Sequence, residues 1–435
     1  MTVTYPVRPI TDSELGEFYA VGEQAFNSNW PTEESLAHAL IVFEPERSLA
    51  ALDGSQIVGT ACAYTFGLTV PGGIVDAAGV SAVSVLPSHR RRGILSALMK
   101  RQLADISERG EPVAALFASE SGIYGRYGYG SAAEHYQFLI RRGEGRLQDP
   151  ASGPAGPGSG QAADPAGPAD DYGSAVTLRL TEPAAGVGEM TAVYDAIRVS
   201  RPGMLTRNEL WWRLCVADPA YGRDGSSPLR CLIAADGSGP RGYALYAAVP
   251  TWGADSIPAH VLTVSELFAV DPAVSVALWR DLFTRDLVAE VKTGERPVDD
   301  PLLQLLSDRR RARAHAVDGL WVRLIDLPAA LTRRRYACAV DMVLEVTDDL
   351  VPANSGRWRL SAGGPADQAP VTCERSSAAA EIALPVAALG AAYLGGTRIG
   401  SLAQAGLIAE RRPGAIAALS AAMWWDPAPW SPMTF

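Results

Sequence analysis

The stretch Val83-Ser84-Val85-Leu86-Pro87-Ser88-His89-Arg90-Arg91-Arg92-Gly93-Ile94 constrains the fold of this chain more than any other. It reads as a strand, a turn marked by Pro87, a basic glycine loop and a helix starting near Ile94. Apolar Ile94, Leu95, Leu98 and Met99 recur at helical spacing, while Arg101 and Gln102 fall outside that stripe. A loop that opens a helix offers unpaired backbone N–H groups and the positive end of the helix dipole. Together these make an anion site, and Gly93 lets the backbone approach a phosphate with no Cβ in the way. Three adjacent arginines raise the local positive potential. The spacing is neither that of the lysine-containing P-loop nor that of the Gly-x-Gly-x-x-Gly dinucleotide turn. On these residues alone, a solvated basic turn before an amphipathic helix stays open.

After the helix comes a strand, Pro112-Val113-Ala114-Ala115-Leu116-Phe117, and then Ala118-Ser119-Glu120-Ser121-Gly122-Ile123-Tyr124-Gly125-Arg126-Tyr127-Gly128-Tyr129-Gly130. Glycines at this density imply positive-φ positions or close backbone approach. A tyrosine near the end of a strand can present its O–H into a cleft, within reach of a leaving group. The competing reading packs all three tyrosines as half-buried aromatics, each hydroxyl satisfying a backbone carbonyl.

A chain of 435 residues has room for two to four domains. No run approaches the apolar length of a membrane helix, and the N-terminus lacks a basic region followed by an apolar core. Five scattered cysteines (Cys62, Cys215, Cys231, Cys338, Cys373) without metal-like pairing read as buried small apolar residues in a reducing, cytoplasmic compartment. The histidines form no ligand cluster, so no metal is implied. A net charge of −10 argues against nucleic acid as the main partner and favours cationic substrates. The arginine runs at 309–313 and 333–335 read as solvated helix faces or subunit contacts.

From about Gly143 to Gly173 the chain is crowded with Gly, Pro, Ala, Ser and Asp, a composition that predicts a linker. A second boundary falls near Asp326-Leu327-Pro328. Between them the first domain is echoed. Gly59-Thr60-Ala61-Cys62-Ala63-Tyr64 precedes Ala82-Val83-Ser84-Val85-Leu86-Pro87, just as Gly242-Tyr243-Ala244-Leu245-Tyr246 precedes Leu267-Phe268-Ala269-Val270-Asp271-Pro272. No arginine or glycine follows Pro272, so the second copy lacks the phosphate cradle. Beyond 327, alternation in Val343-Leu344-Glu345-Val346-Thr347 and Arg357-Trp358-Arg359-Leu360 predicts a half-buried sheet. A strand at 379–384, a helix at 385–394 and a helix N-capped by Ser401 follow.

The basic loop resembles the pyrophosphate loop of the GCN5-related N-acetyltransferases, Arg/Gln-x-x-Gly-x-Gly/Ala, with Leu95 in place of the small residue. Together with the tyrosine run it closely resembles the Eis-type (enhanced intracellular survival) acetyltransferases of actinobacteria. Tyr127 stands where that family often has Phe. Asp318-Gly319-Leu320-Trp321-Val322-Arg323 and Ala391-Ala392-Tyr393-Leu394-Gly395-Gly396 extend the resemblance to the end of the chain. It implies an α+β (mixed α/β) protein of tandem acetyltransferase folds, the second degenerate, followed by a sterol-carrier-protein-2-like domain. The boundaries are a catalytic domain at 1–142, a linker at 143–175, a degenerate copy at 176–326 and the C-terminal domain at 327–435.

The implied activity is acetyl transfer from acetyl-CoA to a primary amine (aminoglycoside-like, polyamine or lysine) by direct attack. Val83, Ser84 and Val85 would flank the cofactor; Arg90, Arg91, Arg92, Gly93, Ile94, Leu95 and Ser96 would take its pyrophosphate. Ser119 and Glu120 would lie beside the thioester. Tyr124 would be general acid and the terminal carboxylate of Phe435 general base, in a homo-hexamer built as a trimer of dimers. The acceptor pocket departs from the family: 25–30 carries no acid, Thr434 is penultimate, and Ala82 precedes Val83, leaving Glu33, Glu34 or Asp76 to compensate. Two rival classes are a lipid- or small-molecule-binding protein using the C-terminal domain, and a transferase of a longer acyl-CoA.

Overall fold

A computed structural model describes residues 5–148, 176–365 and 369–435. The expected linker lies outside the described residues from 149 onward. The described chain forms two compact units, one of Met1–Glu134, Val199–Leu214 and Asp318–Phe435, the other of His135–Arg198 and Cys215–Val317. No helix among the described residues is long and apolar enough to cross a membrane.

The first unit contains β1 (Val7–Pro9), β2 (Ser48–Asp53), β3 (Gln56–Val70), β4 (Gly73–Val85), β5 (Val113–Phe117) and β6 (Gly130–Ser131). They form a seven-stranded sheet in the order β1-β2-β3-β4-β5, then Leu320–Leu324, then β6. The first four strands are antiparallel, and β4 runs parallel to β5. Helices α1 (Leu15–Phe26) and α2 (Glu33–Ala39) precede β2, and α3 (Ile94–Glu108) crosses from β4 to β5.

Side-chain alternation gives this sheet two apolar faces. Ala63, Ala78, Val80, Ala114 and Leu116 pack with Met99, Leu103 and Ile106 of α3. Cys62, Tyr64, Phe66, Val75, Ala77, Val113 and Ala115 turn the other way, toward Phe18 and Val21 of α1.

The C-terminal part adds a five-stranded sheet in which Val340–Thr347 pairs antiparallel with Gly356–Ala362 and parallel with Ile382–Pro385. Its buried Leu344, Leu384 and Leu389 belong to the same core as Phe18 and Phe66. The helix Val386–Ala392 lies on the strand Leu320–Leu324 so closely that a Cβ on Gly390 would come 2.3 Å from the Val322 carbonyl oxygen. Ser401 falls inside the helix Ile399–Gln404, whose N-cap is Arg398, so the expected start is late.

The arginine run at 333–335 is not uniformly solvated. Arg334 is 1% exposed and donates to the carbonyls of Ala392, Tyr393 and Met423, at the C-terminal ends of two helices. Helix C-termini carry unpaired carbonyls and partial negative charge, which a buried guanidinium can satisfy. The cysteines also divide: Cys62, Cys231 and Cys373 are buried, Cys215 is half-buried and Cys338 is exposed.

In the second unit β7 (Glu134–Gln137) pairs with the short strand Arg296–Pro297. A six-stranded sheet runs β8 (Leu139–Arg141), Val288–Thr293, His260–Ala269, Gly239–Val249, Arg230–Asp236 and Thr177–Thr181. Gly239–Val249 and His260–Ala269 are antiparallel; His260–Ala269 and Val288–Thr293 are parallel, joined through the helix Pro272–Phe283. That is the arrangement of β3, β4, α3 and β5. The first unit's opening stretch ends at Glu134, and Phe138 and Ile140 are buried in the second unit's core.

Candidate active site

The register of β3 against β4 shifts between Thr60↔Ser84 and Cys62↔Ser81, so Ala61 faces two residues of β4, Ala82 and Val83. This β-bulge puts Ala82 at φ +49°, in the left-handed region that alanine ordinarily avoids. The buried Thr60 hydroxyl donates to the Ala82 carbonyl at 2.8 Å and accepts from the Ser84 hydroxyl at 2.6 Å. Just before the bulge, β4 leaves its other neighbour. Only residues 77–79 of β4 pair with 113–115 of β5, although β4 continues to Val85 and β5 to Phe117. The two parallel strands therefore part at their carboxyl ends, where open α/β sheets bind ligands. The β5-facing edge of residues 83–85 is left without a strand partner.

Beyond the gap, Pro87–His89 forms a single 3-10 turn and the chain takes positive φ at Arg91 (62°) and Gly93 (83°). Gly93 is the N-cap of α3 and supplies no side-chain cap, so the first N–H groups of the helix stay available. A Cβ on Gly93 would meet nothing within 4 Å. The left-handed torsion angle favours glycine here, and no protein atom crowds the position.

The three arginines differ in role. Arg90 donates to the Ala25 carbonyl (3.3 Å) and Arg92 to the Tyr5 hydroxyl (3.1 Å), tying the loop to the fold. Arg91 is exposed and makes no hydrogen bond or ion pair among the described residues. His89 Nε2 stands 3.1 Å from Asp53. Ile94 is buried, Leu95 packs against the α3-side core, and Ser96 Oγ lies 3.1 Å from the Tyr127 hydroxyl. The Ser84 and Ser96 hydroxyls are thus engaged within the protein.

Tyr124 begins the 3-10 turn Tyr124–Tyr127 and is buried with Val80 and Leu116 on the α3 face, edge-on to Tyr129 at 6.0 Å. Burial, then the nearby Glu120 and Tyr127, push its phenol up to about 12. Ser119 and Glu120 are exposed just past β5. Of the four glycines in this loop, Gly128 takes φ +82° and Gly130 lets the helix backbone approach, a Cβ there lying 2.1 Å from the Ala387 carbonyl oxygen. Gly122 and Gly125 do neither.

Phe435 lies on the opposite face of the sheet. Its ring is 5.1 Å from Phe66, 5.4 Å from Phe117 and 6.4 Å from Tyr64, and Trp211 completes the aromatic group 5.1 Å from Phe66. Gly79 makes the space, since a Cβ there would fall 2.4 Å from the Phe66 ring and 3.0 Å from that of Phe435. The segment leading in is anchored by Arg201 to the Ala428 carbonyl (2.7 Å), by the Trp430 amide to Pro202 (2.9 Å) and by buried Met433. Gly79 and Val80 alternate on β4, as Phe117 and Leu116 do on β5. Phe435 and Tyr124 are therefore on the two sides of the parting strands. Phe66, Gly79 and Trp211 escaped the sequence reading; a glycine in the interior of the Val/Ala-rich β4 was the available signal, and Trp211 offered none.

Asp76 cannot supply acid beside Phe435. It alternates with Val75 and Ala77, projects to the opposite face and lies 3.6 Å from Arg333. Glu33 and Glu34 are exposed in the first turn of α2. The buried thiols of Cys62, Cys231 and Cys373 are pushed up to about 12 by desolvation, which leaves them protonated and poorly nucleophilic.

The second unit repeats the frame without the site. Its helix Pro272–Phe283 is capped by Asp271, whose carboxylate accepts from the Val274 amide at 3.0 Å. Where the parallel strands part beyond Val264 and Thr293, the Arg296 guanidinium fills the opening, donating to the Leu267 carbonyl (2.7 Å) and to Asp300 (2.7 Å). Anion cradle and strand gap are both occupied by the protein's own side chains.

Comparison with known proteins agrees with this geometry. A family described as "Acetyltransferase (GNAT) domain" matches residues 6–132, a second of the same description matches 203–324, and "Sterol carrier protein domain" matches 327–432. An "Uncharacterized N-acetyltransferase" of Streptomyces coelicolor is 44% identical over 384 residues, 88% of this chain and 87% of that one. "N-acetyltransferase Eis" of Mycobacterium tuberculosis is 37% identical over 357 residues, 81% of this chain and 79% of the relative. The crystal structure of Eis1 from Mycobacterium abscessus superposes with a TM-score of 0.79 at 32% identity, covering 99% of this chain and 100% of that one. With two acetyltransferase domains followed by a sterol carrier protein domain, the chain belongs to the Eis-type GCN5-related family and is an N-acetyltransferase.

Proposed function

We propose that the first domain transfers the acetyl group of acetyl-CoA to a primary amine, with both substrates bound together. The observation that carries this reading is the contrast between the two copies. The helix behind the first gap has a glycine N-cap and an uncommitted Arg91, whereas its counterpart is capped by Asp271 and its gap is filled by Arg296. The N–H groups of Ile94, Leu95 and Ser96, with Arg91, would hold the diphosphate, and Arg90 and Arg92 would fix the loop. The free backbone edge of Val83, Ser84 and Val85 would pair with the amides of the pantetheine arm. Ser119 and Glu120 would border the thioester end.

In this reading the amine nitrogen attacks the thioester carbonyl carbon from the Phe435 side, the C–N bond forms and the C–S bond breaks. In a chain ending at Phe435, the terminal carboxylate takes the ammonium proton, directly or through water. A carboxylate is a much weaker base than an amine, so desolvation by Phe66, Phe117 and Trp211 has to narrow the difference. Tyr124 donates to the departing thiolate from the other face. Its raised pKa keeps the phenol neutral and available as a donor throughout the working range. Holding the amine and thioester in line supplies the remainder, and no acyl-enzyme is required.

Aminoglycoside-like amines, polyamines and lysine side chains are the acceptor classes; a hexameric, cytoplasmic enzyme completes the proposal. The test is a coenzyme A thiol-release assay over those amines, with acetyl-CoA and longer acyl-CoA as donors. Turnover with acetyl-CoA and at least one amine is expected. Absence of acetyl-CoA binding by calorimetry would overturn the reading. A few residues appended after Phe435 should abolish turnover while leaving the melting temperature and acetyl-CoA affinity intact; an active extended protein would refute the terminal base.

A further inference from the structure

We infer that Thr60 is a positioning residue for the donor substrate: its buried hydroxyl locks the β4 bulge and thereby sets where the free edge of residues 83–85 stands. The inference rests on the proposed binding of acetyl-CoA along that edge. Thr60 is wholly buried within β3, where valine would have the same shape and an equal preference for a strand. The hydroxyl is therefore not needed to form the strand.

What it does is specific. Its single proton goes to the carbonyl of Ala82, and its oxygen receives the proton of Ser84, itself 5% exposed. These contacts bracket the one residue of β4 held in the left-handed region, at φ +49°. Without them Ala82 would return to extended geometry, which favours a regular ladder. The register of residues 83–85 would then slip by one, and every side chain there would change face. Removing the hydroxyl while the bulge stays would instead leave the Ser84 hydroxyl buried without this acceptor. Local strain at Ala82 and the lock beside it thus form one device, aimed at the segment that diverges from β5.

The test measures acetyl-CoA affinity by calorimetry, with kcat and both KM values from thiol release. Thr60→Val is expected to weaken acetyl-CoA binding about tenfold, with a smaller change in the KM for the amine. Thr60→Ser keeps the hydroxyl and should stay within twofold of the parent. Ala82→Gly in the Thr60→Val background should recover most of the affinity, because glycine adopts φ +49° without a lock. If Thr60→Val does not fold, Ala82→Val carries the test: a β-branched residue cannot hold that conformation, so affinity should fall with Thr60 intact. Thr60→Val with a lower melting temperature but parental affinity would overturn the inference, leaving Thr60 a stabilising residue only. Failure of Ala82→Gly to restore binding would overturn it too. A parent protein that binds no acetyl-CoA would instead remove the underlying functional reading.

Discussion

Substituting Gly93 by alanine tests the physical account of the anion loop at its narrowest point. Gly93 sits at φ +83°, and a Cβ added there meets nothing within 4 Å. Within the unbound protein the cost is therefore torsional, about 1–2 kcal/mol for an L-residue in the left-handed region. That energy has to appear in one of two places. If the loop keeps its shape, the unbound protein loses it as stability. If the loop relaxes, acetyl-CoA must restore the shape on binding, and affinity falls by about 5- to 30-fold, since RT is about 0.59 kcal/mol and a tenfold change about 1.4. The exposed loop has no packing at this residue to resist relaxation, so the loss should fall mainly on affinity. Calorimetric titration with acetyl-CoA and a thermal melt together measure both parts, which should sum to the torsional cost. Gly125→Ala is the control, being exposed, open and without positive φ. It should change neither. Parental affinity and stability in Gly93→Ala, or equal losses in Gly125→Ala, would refute the reasoning.

Three further outcomes follow from individual side chains. Tyr124→Phe should lower kcat by about 10²- to 10⁴-fold with little change in the KM for acetyl-CoA; because the phenol is pushed up to about 12, activity should show no falling alkaline limb from this group below about pH 10, as a pH–rate profile would reveal. Arg334→Met should destabilise the first unit by about 3–5 kcal/mol, seen in denaturant unfolding, because it strands several buried carbonyls at once. Glu295 is half-buried in the second unit, one oxygen without a partner among the described residues and the other 3.8 Å from His135 Nε2, and desolvation raises its carboxyl to about 7. An acid raised in the folded state contributes stability at low pH that is lost as pH rises, here from the unfolded value of about 4.3 toward 7. Glu295→Gln should remove that slope and stabilise the protein at pH 8 by up to about 3 kcal/mol; denaturant midpoints at pH 5 and pH 8 that fall equally in both proteins would contradict it.

The basic glycine loop ahead of α3 was legible because its signals are local. A turn proline, a positive-φ glycine and a 3.6-residue apolar stripe each act within a few residues. The same holds for the strand–helix order of the second copy and for the half-buried strands beyond 340. Local signals misled where burial depends on distant partners. The run 333–335 looks uniformly basic, yet Arg334 alone is enclosed, because two helix ends from residues 392–423 converge on it. Asp76 looked free to stand beside Phe435, but the pairing of β4 puts it on the opposite face.

What the chain's order of residues determined unaided is the family, the tandem architecture and the two short motifs, since backbone torsion and periodicity are written within each segment. What only the tertiary structure decided is which groups meet. Phe66, Gly79, Phe117, Trp211 and Phe435 come from five separated stretches and are joined by burial, whose driving force carries no direction and leaves no spacing to read. The filled strand gap of the second copy is likewise tertiary. Its missing glycine could be read directly, but the Arg296 side chain filling its gap exists only because residue 296 folds back onto the carbonyl of residue 267.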